Sequence, residues 1–204
     1  MLSFVSKLKF IFKKPKVVAV AGNGRQTAKK AIFQVLSSRF KIGREILLLE
    51  ADLENTEEIK FYLKNSSLPV LVVSHLGDIP PDKIFFVGKR NEKIWALAKE
   101  MPSKGYLVLN FDDETVREIK DKTNVLNELT FGFQERADFK ASDIRLNGGT
   151  NFKVNHKGYV VPVWLNKLFG KEQIYAALAA ASCGNIFGLN LVEVSQALKN
   201  YRSS

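Results

Sequence analysis

Cysteine is all but missing from this chain. Cys183 stands alone, which excludes an intramolecular disulfide and fits a reducing compartment. Apolar runs are short, and none reaches the roughly 18 residues that a membrane-spanning helix needs. The expectation is a soluble cytoplasmic protein, or one held at the inner face of the membrane. Histidine is scarce: His75 and His156 lie far apart without a Cys or His partner at ligand spacing, which argues against a structural metal. Ser182 and Cys183 have no companion base, so neither is assigned as a nucleophile. Acidic residues are in deficit, 21 against 31 Lys and Arg, leaving a net charge of +10. Such an excess suits phosphate-rich partners. The basic residues are nevertheless spread along the chain, and no nucleic-acid-binding motif or aromatic-basic interleaving is present. Nucleic acid therefore ranks behind an anionic lipid surface or a negatively charged precursor.

With 204 residues and 46% hydrophobic content, the chain can bury one substantial core. Its organising stretch is residues 16–30, KVVAVAGNGRQTAKK, where a short apolar run enters a glycine turn and leaves as a helix. That layout lets backbone N–H groups and a helix N-terminus converge on phosphate oxygens, with a lysine reaching the terminal phosphates. Here Gln26 stands before Thr27 in the place of that lysine, and Arg25 replaces a glycine. The candidate phosphate contacts are Gly22, Gly24, Arg25, Gln26 and Thr27. Arg25 is the one cation available to the loop; the plainer reading leaves it as a solvated side chain.

Around this loop, strand and helix signals alternate, which predicts a parallel sheet covered on both faces. Strands are expected at 17–21, 45–50, 69–74, 83–87, 106–110 and 125–131, with helices at 26–38, 55–64, 91–100 and 114–120. From residue 137 three short strands follow, at 139–145, 151–154 and 159–164, with glycines at the turns: a small antiparallel meander over 137–164. Two helices close the chain, 172–187 and 191–201, the first rich in alanine and suited to close packing. Trp95 and Trp164 read as core anchors. Ahead of the sheet, residues 1–15 place Phe4, Leu8, Ile11 and Phe12 at helical spacing among lysines, ending at Pro15. This segment is expected either to lie on an anionic membrane surface or to brace the domain formed by residues 16–204.

Residues 17–30 resemble the nucleotide loop of the Mur ligases, the ATP-dependent amino-acid ligases of peptidoglycan synthesis, and further segments in the same order extend the resemblance across about residues 16–201. Residues 49–59 (LEADLENTEEI) are similar to the segment whose glutamate helps hold magnesium, which places Glu50, with Thr27, as metal candidates. Residues 74–77 (SHLG) match another family segment. Residues 109–113 (LNFDD) match the signature at the adenine and ribose end of the nucleotide, implying Asn110, Asp112 and Asp113 as cofactor-binding residues; a helix N-cap is the structural alternative. Residues 130–133, 137–145, 149–152 and 168–181 look most like the D-alanyl-D-alanine-adding member.

The resemblance implies a P-loop-like α/β fold, ATP with magnesium as cofactors, and a UDP-muramoyl peptide or another cell-wall enzyme as partner. It covers the family's central domain, with the flanking domains not represented between residues 1 and 204. The departures fall on chemistry. Gln26 replaces the clamping lysine, and Ala98 occupies the place of a lysine that helps bind a second magnesium, with Lys99 one step away. Glu172 and Gln173 replace a His-Asn pair, Asp52 a glycine and Pro80 a histidine. The leading expectation is a binding or scaffold module that cannot complete ligation alone. The rival is an ATP-binding ligase component completed by another chain, and a third reading is a basic membrane-surface or nucleic-acid adaptor.

Overall fold

A computed structural model of the protein describes residues 4–51, 56–76 and 88–202. Helix α1 (Phe4–Lys13) leads into β1 (Lys16–Ala21), α2 (Arg25–Ser37), β2 (Ile46–Glu50), α3 (Thr56–Lys64) and β3 (Pro69–Val73). Then come α4 (Gly88–Lys99), β4 (Tyr106–Asn110), α5 (Glu114–Arg117) and β5 (Asn127–Gly132). Strands β6 (Phe139–Leu146), β7 (Gly149–His156) and β8 (Tyr159–Asn166) precede helices α6 (Lys171–Ile186) and α7 (Leu191–Lys199). The predicted strand at 83–87, together with Asp52, Gly77 and Pro80, lies outside the described residues.

The strands form one sheet of order β2-β1-β3-β4-β5-β6-β7-β8. Pairing is parallel from β2 through to β6 and antiparallel among β6, β7 and β8. The predicted antiparallel meander is present and continues the main sheet, because β6 pairs in parallel with β5 through Phe131 and Gly132.

The continuous apolar runs of the central strands follow from burial on both faces. In β1, Val18 and Val20 face a core shared with α2, α6 and α7, while Val17, Ala19 and Ala21 face a second core shared with α3 and α4. This is the period-two alternation of a strand, with both sides covered. Helix α6 is buried from Ile174 to Gly184 and is apolar nearly all round, as a central helix must be. Its small residues let α2 and α7 close on it. At Gly184 a Cβ would come within 2.8 Å of Val194 Cγ2 and 3.1 Å of Val35 Cγ1.

Two expectations need correction. The predicted helix over 114–120 is α-helical only to Arg117. Val116 and Ile119 both turn into the second core, and the chain tightens so that Ile119 N bonds Val116 O, a three-residue turn that ends the α-helix. Trp164 is no core anchor, being 44% exposed, because β8 is an edge strand whose alternate side chains face outward. Trp95 does pack against the second core, with Lys122 Nζ 3.3 Å above its ring.

Candidate functional site

Strand β1 sits between β2 and β3, so the chain leaves it first to one side and then to the other. The crevice above the carboxyl ends of β1 and β3 is thus the switch point where open α/β sheets receive ligands. The turn of residues 22–24 occupies it. Gly22 (φ 92°) and Gly24 (φ 75°) are both left-handed. Gly22 is pressed against the segment just after β3: a Cβ there would lie 2.4 Å from His75 O. That same carbonyl accepts Asn23 N at 2.7 Å, which ties the turn to the end of β3.

The side chains that the sequence offers for phosphate and metal find partners within the protein. Arg25 Nε donates to Glu50 Oε1 at 2.9 Å, so Arg25 is not a simply solvated side chain. Gln26 Nε2 reaches the same carboxylate oxygen at 3.5 Å. Thr27 Oγ1 donates to Glu172 Oε1, across the junction of α2 and α6. The candidate cation and the candidate magnesium ligand therefore neutralise each other. Ala98, in the place of the family's second metal-binding lysine, is fully buried in the second core. Among the described residues no group of three or more His, Cys, Asp or Glu is placed to hold a metal.

Asn110, Asp112 and Asp113 are drawn together at the end of β4 and form a polar knot. Asp113 caps α5 by accepting Val116 N at 3.2 Å and also accepts Leu76 N at 2.8 Å, joining β4 to the segment after β3. Asp112 accepts Phe133 N at 2.7 Å, Gln134 N at 3.1 Å and the Tyr175 hydroxyl at 2.9 Å. Gly132 makes room for it, since a Cβ there would lie 2.7 Å from Asp112 Oδ1. Burial first, then the charges of Asp112 and Asp113, push the Tyr175 hydroxyl far above its ordinary pKa, so it remains a proton donor. Fully buried Asn110 places Nδ2 2.8 Å from His75 Nε2, and its Oδ1 accepts Asp112 N.

His75 and Tyr175 complete this knot, and neither has an assigned role in the sequence motifs. A lone histidine carries no metal or catalytic signal by itself, but the place of His75 just after β3, in SHLG, marks it as a residue of the crevice. Tyr175 lies three residues after Glu172 and so shares its face of α6. Their rings meet edge-on at 4.5 Å. Burial lowers the His75 pKa below its ordinary 6.5, opposed in part by Asp113, Asp112 and Glu172. The folded protein thus holds His75 neutral where the unfolded chain would protonate it. Stability is full above pH 6.5 and falls as pH drops below it, levelling off under the folded value. In His75→Gln that part of the acid-side slope in a urea titration series between neutral and mildly acid pH should vanish; an unchanged slope would mean that other groups set it.

Beside Asp112 opens a cavity of about 760 Å³, lined in part by Phe133, Ile144, Lys171 and Tyr175. The rings of Phe133 and Tyr175 meet edge-on on its wall, with centroids 4.9 Å apart.

Comparison with known proteins places this arrangement. Residues 91–184 match the family model described as the Mur ligase middle domain. The UDP-N-acetylmuramate–L-alanine ligase of Sulfurihydrogenibium sp. (strain YO3AOP1) is 30% identical over 179 residues, covering 84% of this chain and 36% of that protein. The chain is a homologue of the Mur ligase middle domain. A solved UDP-N-acetylmuramoyl-L-alanyl-D-glutamate–2,6-diaminopimelate ligase superposes with a TM-score of 0.80 at 16% identity, over 98% of this chain and 50% of that one. The D-alanyl-D-alanyl ligase of Acinetobacter baumannii gives 0.74 at 18%, over 98% and 48%. The MurF ligase of Thermotoga maritima, solved with ADP, gives 0.68 at 19%, over 96% and 53%. Likenesses at such identities establish the α/β fold. They do not single out the D-alanyl-D-alanine-adding member, and the sequence relative named above adds L-alanine. This middle-domain homologue spans about a third of the length of that relative and about half of the solved chains.

Proposed function

We propose that this middle-domain homologue is a binding or scaffold module of peptidoglycan precursor synthesis that does not drive ligation by itself. Its partner is a UDP-muramoyl peptide or another cell-wall enzyme, and its place is the cytoplasm. The observation that carries this reading is the occupation of the loop by the protein's own carboxylates: Glu50 on Arg25 and Gln26, Glu172 on Thr27. Ligation of the Mur type phosphorylates a carboxylate with ATP, which requires clamped phosphates and metal-assisted charge neutralisation. Here the clamping position is a neutral Gln26 and the neighbouring cation is already paired. A phosphate with no bridging cation, brought within about 4 Å of either glutamate, meets a repulsion on the order of 4 kcal/mol per pair of charges near a protein surface. A magnesium triphosphate would have to draw Glu50 from Arg25 and Thr27 from Glu172, with no lysine at position 26 to clamp it.

The protein melted with and without millimolar ATP and magnesium is expected to show the same transition. A ligand present at a hundredfold its Kd would add about 2.7 kcal/mol and raise the melting temperature of a domain this size by roughly 5–11 °C. A saturable, magnesium-dependent shift of that kind would sink this reading, as would the joining of an amino acid to a UDP-muramoyl peptide by the purified chain.

The second reading is a ligase component completed by another chain. What favours it is the Asn110, Asp112 and Asp113 signature beside the cavity walled by Phe133 and Tyr175. It requires the shift just described.

A further inference from the structure

Helix α1 turns most of its apolar side chains away from the protein. Phe10 faces inward, its ring 4.8 Å from that of Tyr62 and 5.8 Å from that of Phe61, and Lys7 Nζ sits 5.4 Å above Phe61. This much is a brace onto α3. Val5, Leu8, Ile11 and Phe12 point elsewhere and are exposed at 59, 39, 37 and 83%. At 100° per residue these four fall within one arc of about 120°. Lys9 and Lys13 border the arc on one side and Lys7 on the other, and the helix carries no acidic residue. Alongside the first border, Lys9, Lys13 and Arg44 contribute to a cavity of about 300 Å³ between α1 and the approach to β2.

A helix serving the fold alone would place this arc on the domain, where each large apolar side chain gains about 1.5–3 kcal/mol on burial. We propose that the outward arc of α1, with its flanking lysines and the Lys9, Lys13 and Arg44 cavity, docks on an anionic lipid bilayer. The apolar arc enters the boundary between headgroups and acyl chains, and the cations meet lipid phosphates on the flank. Charge separates this occupant from an apolar protein face: three lysines border the arc without an acid among them, on a chain of net charge +10. One helix of ten residues gives weak, reversible attachment. The proposal is independent of what the loop binds.

The test is cosedimentation of the full chain with vesicles of phosphatidylglycerol and phosphatidylcholine in equal amounts, at low and high salt, with pure phosphatidylcholine beside them. Binding is expected to the mixed vesicles only and to weaken as salt rises. Phe12→Glu should lower it at least about tenfold and Lys9→Gln about fivefold. Both side chains are exposed, so the melting temperature should not move and misfolding cannot mimic the loss. Three results would overturn the proposal. They are no sedimentation with mixed vesicles at low salt, equal binding by Phe12→Glu, or self-association abolished by Phe12→Glu in a protein that ignores vesicles.

Discussion

Gly22→Ala is expected to destabilise the protein by about 3 kcal/mol and to lower its melting temperature by about 6–12 °C. Three costs combine at this residue. Its φ of 92° penalises any side chain by about 1–2 kcal/mol. The added Cβ would meet His75 O at 2.4 Å and His75 N at 3.0 Å, both backbone atoms that no rotamer change can move. Relieving the clash means parting the turn from β3, which breaks the Asn23 N to His75 O bond, worth about 1 kcal/mol. Gly43→Ala is the internal control: its φ is 86° but nothing lies within 4 Å of a Cβ there. Denaturant titration of the two variants should show Gly22→Ala losing at least about twice as much. Equal losses would mean that the turn is not seated against β3 as described.

Asp112→Ala should cost about 3 kcal/mol, an effect of similar size with a different origin. Removing the carboxylate strands the Phe133 and Gln134 amides and the Tyr175 hydroxyl at once. An unsatisfied buried donor costs about 1–3 kcal/mol, and the exposed Gln134 amide recovers part of its share from water. A double-mutant cycle with Tyr175→Phe isolates the side-chain pair, and a coupling of about 1 kcal/mol or more is expected. A loss below about 1 kcal/mol for Asp112→Ala would remove the knot as a structural support. Asp112 is consequently a poor probe of nucleotide binding, because its replacement disturbs the ends of β4 and β5 and their link to α6 whether or not a ligand is present. Glu172→Gln is the gentler probe, since it keeps an acceptor for Thr27 while removing the charge.

Much of the architecture was legible residue by residue. The uninterrupted apolar run of 17–21 reads as a strand covered on both faces, and the alternation of such runs with helical spacing points to a parallel sheet. The strand at Tyr106–Asn110 and the alanine-rich helix were anticipated from local pattern nearly to the residue. Helix and strand ends were less legible where core contacts decided them, as at α5, which Ile119 cuts short by turning inward.

The candidate site was legible as positions and illegible as partnerships. Gly22, Gly24, Arg25, Thr27, Glu50, Asn110, Asp112 and Asp113 could each be named from motif and resemblance. What each one touches could not. Arg25 meets Glu50 from 25 residues away, Asp112 meets Tyr175 from 63, and Thr27 meets Glu172 from 145. The orientation of α1 belongs with these, since a helical repeat of apolar residues looks the same whether it faces a core or the solvent. The sequence by itself determined which segments become strands and helices and where the glycine turn falls, because periodicity and backbone restrictions act over a few residues. Strand order and helix docking decided the charge pairing in the turn, the knot behind it and the outward arc of α1, because those contacts exist only once distant segments have packed side by side.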